Sequence, residues 1–396
     1  MSSLRAPARR AGSMPRSAIR EIMALAATVP NVIHLEVGEP DAITPAPIIE
    51  KAFAAVRDGA TKYAPNAGLR PLRESVAQRC GARWGKPVAA DRVVITTGAI
   101  GGLFSSLFAV LDPGDEVLIP DPGWPNYEAV AHLASATAVR YRMPASRGFL
   151  PDIAELRALV TPRTKAILIN TPGNPTGAVF PRPLMQAIVD LAREHGLYII
   201  SDEIYEDIVF DGTHVSAAEF GADEHVFIVS GWSKSYAMTG WRLGWLICPP
   251  HLSATAASLQ EPTTSCASTP SQMAGEAALA GDQKVVDDFR AMFQRRRDLV
   301  VKAFAGTDYL PIVPAGAFYA LVDVSAAGAS SFETAKAALL EAAVAVVPGN
   351  TFGPDTDKYV RIAYTIADKD LAEGVRRLRT FLEKRGSTSA KRTAHA

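Results

Sequence analysis

The sequence predicts an α/β fold in which a largely parallel sheet is covered by helices on both faces and joined to a smaller α+β domain. Three observations carry this. Short apolar runs alternate with helix-period segments up to about Pro270, the rhythm of strands buried on both faces. Beyond Pro270 long helical stretches take over before apolar runs resume. At 396 residues the chain exceeds one ordinary domain.

In order, "RVVITT" (92–97) reads as a strand and 99–111 as a helix. "DEVLIP" (115–120) and "TKAILIN" (164–170) are strands, and a helical pattern follows over 183–195. "LYIISDE" (197–203), "HVFIVS" (225–230) and "GWLICP" (244–249) are further strands. Helices over 271–305 lead to "GAFYALVDV" (316–324), a helix (332–343), "VAVVPG" (344–349), "YVRIAY" (359–364) and a last helix. The main boundary falls near 280–290. The expected division is a large domain over 45–285, a small domain from 14–44 and 286–390, and flexible tails at 1–13 and 391–396.

Lys+Arg and Asp+Glu number 41 each, so the formal net charge is zero. That argues against a nucleic-acid binder working by phosphate neutralisation. Cys80, Cys248 and Cys266 form no CxxC pair, and an odd count suits a reducing compartment; a cytoplasmic location is expected. No apolar run is long enough to span a bilayer, and no metal-ligand pattern stands out. The Arg-rich segment over 1–20 reads as an arm entering a first helix that packs on the smaller domain; an organellar transit segment is the other reading. The tail "KRGSTSAKRTAHA" (384–396) reads as unstructured.

Four stretches sit just after strands, where open α/β sheets build their sites. In "TTGAIGG" (96–102) Gly98 opens a helix whose free N–H groups suit a phosphate. Neither GxGxxG nor a P-loop is present. "NTPGNPTG" (170–177) is either a plain rigid turn or a mount for the Asn174 amide. In "SDEIYED" (201–207) Asp202 is either a helix N-cap or a buried acid needing a cation, with Tyr205 close by. "SGWSKSYAMTGWRLGW" (230–245) sets Lys234 and Arg242 in apolar company. A desolvated lysine loses proton affinity and becomes a nucleophile toward carbonyls, and an arginine fork suits a phosphate. The alternative is a lysine on a solvated turn and an arginine in an ordinary ion pair.

Together these parts describe a ligand with a phosphate, an aldehyde, a basic ring nitrogen and a ring oxygen, which is pyridoxal 5'-phosphate. Asp202 would pair with the ring nitrogen, Asn174 and Tyr205 with the ring oxygen, and Lys234 with the aldehyde. Trp124 in "PDPGWPNY" is either a ring-stacking aromatic or a core plug. Arg361 within "YVRIAY" needs an anion, either a substrate carboxylate or a structural acid.

The chain resembles the class I aminotransferases of the fold-type I pyridoxal-phosphate enzymes, in the aspartate aminotransferase-like branch. The motifs are "VGEPD" (37–41), "KYAPNAGLRPLRE" (62–74), "NTPGNPTG", "SDEIY", "SKSYAMTGWRLGW" and "YVRIAY", in that order over nearly the whole chain. The resemblance implies a mostly parallel seven-stranded sheet and a small domain that closes over substrate. It implies a homodimer with shared active sites, acting on amino acids and 2-oxo acids. By position it assigns Lys234 to a cofactor aldimine and Arg242 and Ser233, with Gly98, Ala99 and Ile100, to the phosphate. It assigns Asp202, Tyr205, Asn174 and Trp124 to the ring, Tyr63 to the neighbouring subunit's phosphate, and Arg361 with Gly38 and Asn174 to the substrate carboxylate.

Ala42 and Ile43 follow "GEPD" where relatives often have an aromatic, and Asn350 and Thr351 stand where smaller residues are commoner. No Lys or Arg occurs from Val93 to Val139, where some relatives place a cation for a second carboxylate, so aspartate specificity is not implied. The expected activity is ping-pong amino transfer with Lys234 as proton carrier. A carbon–sulfur β-lyase on the same fold is the alternative.

Overall fold

The computed structural model describes residues 5, 8–14, 18–328 and 330–393. Its strands in chain order are β1 (Ile33–His34), β2 (Val93–Thr96), β3 (Glu116–Asp121), β4 (Thr137–Arg142), β5 (Thr164–Asn170) and β6 (Tyr198–Asp202). They continue as β7 (Val226–Gly231), β8 (Gly244–Ile247), β9 (Tyr319–Asp323), β10 (Val344–Ala345), β11 (Val347–Pro348) and β12 (Tyr359–Ala363).

Seven of them form one sheet in the order β2-β8-β7-β6-β5-β3-β4. Only β8 runs against its neighbours. Six of these strands are the apolar runs named above. The seventh, β4 "TAVRYR", escaped sequence reading because it is an edge strand: only Tyr141 is fully buried, and the rest is polar or half-covered. Edge strands bury little and so show little apolar signal.

Alternate residues of each strand enter opposite cores, as the two-residue period demands. On one face Ile95, Leu118, Ile167, Ile199 and Ile228 meet the helices Arg70–Trp84 and Arg182–His195. On the other, Val94, Val117, Leu168, Ile200 and Phe227 meet the helices Gly98–Val110 and Asn126–Leu133. The helix Arg182–His195 stops at Gly196, which sits at φ 64, where a side chain would be strained.

The smaller unit holds the antiparallel sheet β11-β12-β9 and the short parallel pair β1-β10. Its core takes Ile22 and Ala26 from the helix Ala18–Ala26, so the first helix packs here, while Arg10 and Ser13 of the arm before it contact His132 of the large unit. The helix Lys284–Ala303 passes from one core to the other, with Val286 in the large unit and Phe293 in the small one.

The tail expectation needs correction. Residues 1–4, 6–7 and 394–396 lie outside the described residues, but the last helix runs Asp368–Thr393. Leu371, Val375, Leu378 and Leu382 anchor it in the smaller core, and no proline interrupts it. Once nucleated by packing, a helix extends at little cost through polar residues, so composition alone misleads there.

Ile200 lies fully buried on β6, the middle strand. Ile200→Ala should lower stability by about 2–5 kcal/mol, read from the urea unfolding midpoint. A loss below about 1 kcal/mol would contradict this placement.

Candidate active site

A cavity of about 440 Å³ opens where the strand ends of the large sheet meet the smaller unit. Such a volume suits a cofactor-sized ligand. It is lined by residues from both units, including Gly38, Trp124, Asn174, Asp202, Lys234 and Arg361.

At the end of β2 the chain turns through Gly98 at φ +68 and enters the helix Gly98–Val110. The turn is crowded. A Cβ on Gly98 would meet Arg242 Nη2 at 2.6 Å, and one on Gly244 would meet the Ala99 backbone N at 2.5 Å. Ala99 and Ile100 line the cavity beside it. Arg242 itself adopts φ 53 and is exposed, contrary to the expected apolar burial. Its Nη1 donates to the Thr239 carbonyl (2.9 Å), and no carboxylate pairs with it among the described residues.

β5 and β6 end side by side. The Asn170 amide donates to the Asp202 carbonyl (2.9 Å) and its Oδ1 accepts from the Asn174 N–H (2.8 Å), which aims Asn174 into the cavity. Asp202 is buried and accepts from Tyr127 Oη (2.8 Å) and from the Ile204 N–H (3.2 Å). The second contact is cap-like, but a turn follows rather than a helix. Burial raises its pKa to about 6 against the two hydrogen bonds, which lower it. Tyr205 is buried too, its hydroxyl 2.9 Å from that of Tyr319.

Ser233 and Lys234 follow β7. Lys234 Nζ donates to the Gly38 carbonyl (2.8 Å) and lies 5.6 Å from the Phe318 ring centre. Burial lowers its pKa to about 8; Glu39 opposes this, and the cations Arg361 and Arg242 add to it. Arg361, on β12, is 3% exposed. Its Nη1 donates to Asn174 Oδ1 (3.1 Å) and Nη2 to the Glu36 carbonyl (2.6 Å), while Nε has no hydrogen-bond partner. The guanidinium lies 4.5 Å from the Tyr319 ring centre and 5.1 Å from that of Phe352. No structural acid pairs with it among the described residues, so the ion-pair reading of Arg361 fails. Trp124 lines the cavity half-covered, edge-on to Tyr127, so it is not a core plug.

One predicted residue stays apart. Tyr63 is 91% exposed and does not line this cavity. Sequence reading missed Tyr127, Tyr319, Asn170 and Glu36. Tyr127 carried a faint signal, three residues after Trp124 in "GWPNY". Tyr319 carried none, since a tyrosine in an apolar strand reads as core.

The sequence profile of the family "Aminotransferase class I and II" matches residues 30–378. The chain belongs to that family. It is 37% identical to the aspartate/prephenate aminotransferase of Thermus thermophilus over 355 residues, covering 89% of this chain and 91% of the relative. The arginine–pyruvate transaminase of Pseudomonas aeruginosa is 36% identical, with 88% of this chain and 89% of the relative covered. Among solved structures, the aspartate aminotransferase of Thermotoga maritima superposes with a TM-score of 0.90 at 34% identity, covering 95% of this chain and 100% of that one. The chain is thus an aminotransferase of the fold-type I group, whose class I members work with pyridoxal phosphate. Among the described residues no helix is long and apolar enough to cross a membrane.

The raised pKa of Asp202 has a stability consequence. The folded chain binds that proton more tightly than the unfolded one, so the group's contribution is full below pH 3.8 and is lost as pH rises through about 6. In the cofactor-free aminotransferase, Asp202→Asn should therefore add about 1–3 kcal/mol of stability at pH 7.5 and far less at pH 4. Denaturant melts at both pH values check this, and a destabilised variant at pH 7.5 would refute it.

Proposed function

We propose that the cavity holds pyridoxal 5'-phosphate and that the chain moves an amino group between an amino acid and a 2-oxo acid in two alternating half-reactions. The observation that carries this is the coexistence of Lys234, Asp202 and Arg361 in one cavity with no ion pair between any two. Charged groups kept apart in one cleft are poised for a ligand.

The residues fit the cofactor. The tight Gly98 turn with Ala99, Ile100 and Ser233 offers a cradle for a phosphate, and Arg242, lacking a carboxylate, offers its charge. Asp202 suits a protonated ring nitrogen, whose charge would hold the carboxylate ionised despite burial. Asn174 and Tyr205 suit the ring oxygen, and Trp124 the ring face. When bound, this cofactor supplies an aldehyde that accepts and returns the amino group and a ring that withdraws electrons from the substrate.

Lys234 is the catalytic residue in this reading. Its lowered basicity frees the amine to take the proton from the substrate α-carbon and hand it on. Arg361, with its unpartnered Nε, grips the α-carboxylate, while Asn174 and the backbone at Gly38 border that carboxylate. Since Arg361 and Gly38 come from the smaller unit and Lys234 from the large one, residues 14–44 and 286–390 would act as a small domain closing on 45–285.

A homodimer is supported by surface features. Tyr63, Ile43 and Phe53 are 91%, 81% and 56% exposed, large side chains that suit burial against a second copy of the chain. Tyr63 would then reach the partner's phosphate site. Three free cysteines suit the cytoplasm.

Two measurements test the reading. Lys234→Ala should abolish turnover, and borohydride reduction of the loaded wild type should add the cofactor's mass to the Lys234 peptide alone. A variant with wild-type transamination would falsify the proposal. The pKa near 8 sets the pH dependence: the amine is protonated below it and neutral above it. The rate at which the free chain takes up pyridoxal phosphate should rise toward pH 8 and then level off. A rate still climbing tenfold per pH unit at about pH 9, as for an ordinary lysine, would contradict it.

A further inference from the structure

Part of the cavity wall is apolar and has no task in the chemistry above. Ile19 and Met23 lie one turn apart on the helix Ala18–Ala26 and line the cavity, while Ile22 and Ala26 of that helix are buried in the smaller core. Val37 lines the cavity as well.

Among the described residues three cations line the cavity, and each has a place. Lys234 bonds the Gly38 carbonyl, Arg242 lies against the Gly98 turn, and Arg361 is held by Asn174 and the Glu36 carbonyl. Besides Asp202, two further acids line it. Glu36 is 1% exposed, with Oε1 against His34 Nδ1 (2.8 Å) and Oε2 unpartnered. Glu39 accepts from Thr239 Oγ1. Among the described residues a second carboxylate on a substrate would therefore meet no free cation and would find acids already present, and burying it unpaired is unfavourable. Glu36 and Glu39 each already hold one partner, and the cations Lys234, Arg242 and Arg361 in the same cavity repel a basic side chain.

We infer that the preferred amino donor carries an uncharged, apolar side chain, received by Ile19, Met23 and Val37. This rests on the proposed amino transfer and deepens it by naming the substrate class. The helix Ala18–Ala26 thereby sets specificity as well as capping the smaller core.

The test uses the loaded holoenzyme. Calorimetry compares 4-methylpentanoate with succinate, two unreactive acids that differ in the far group. Single-turnover absorbance compares leucine, methionine and phenylalanine with aspartate, glutamate and lysine. The apolar acid should bind, and the apolar donors react, better by about tenfold or more. Met23→Lys should raise kcat/KM for aspartate relative to leucine by about tenfold or more. Preference of the wild type for succinate and aspartate would overturn the inference and point to a cation supplied by a second copy of the chain. Preference for lysine would overturn it in favour of Glu36 and Glu39. Tight binding of 4-methylpentanoate without amino transfer from any donor would uphold the apolar subsite and sink the reaction instead.

Discussion

The site depends on keeping opposite charges in one small cleft from collapsing onto each other. Unit charges 4 Å apart attract by about 4 kcal/mol at an effective dielectric of 20, enough to lock a flexible lysine onto an aspartate. Here neutral groups take the place of the counter-ions. Tyr127 occupies Asp202, the Gly38 carbonyl occupies Lys234, and Asn174 and the Glu36 carbonyl occupy Arg361. Each charge is satisfied enough to stay buried and free enough to engage a ligand.

That balance needs a rigid mount, and beneath the site the opposite strategy is used. Glu206 and Asp207, on the segment that carries Asp202 and Tyr205, are clamped by two arginines of the helix Arg70–Trp84. Arg79 Nη2 donates to Asp207 Oδ2 (2.7 Å) and Arg83 Nη1 to Glu206 Oε2 (2.8 Å). Burial pushes the Asp207 pKa up, but the two arginines outweigh it and hold it below the usual carboxylate range. Glu203 accepts from Ser201, Ser216 and the Ala217 N–H, and lies 2.9 Å from His214. Buried ion pairs of this kind add little net stability but make misplacement costly. Paired charges below and unpaired charges above divide positioning from chemistry.

The kinship fixes the reaction more firmly than the substrate. Relatives of similar identity are described as acting on aspartate and prephenate in one case and on arginine in another, so the shared frame does not dictate the side chain accepted.

The sequence by itself determined what is local. Short apolar runs set six strands of the large sheet, and glycine and proline marked the turns at 98 and 171–175 where site residues stand. Residue chemistry and order then singled out Lys234, Asp202, Asn174 and Arg361. Tertiary structure decided the rest, because it turns on partners distant in the chain. Lys234 meets Gly38 across 196 positions and Arg361 meets Asn174 across 187. The edge strand β4, the reach of the last helix, the exposure of Arg242 and the role of Tyr127 were all set by such packing. A short pattern records which face of a residue is apolar; it does not record what will lie against that face.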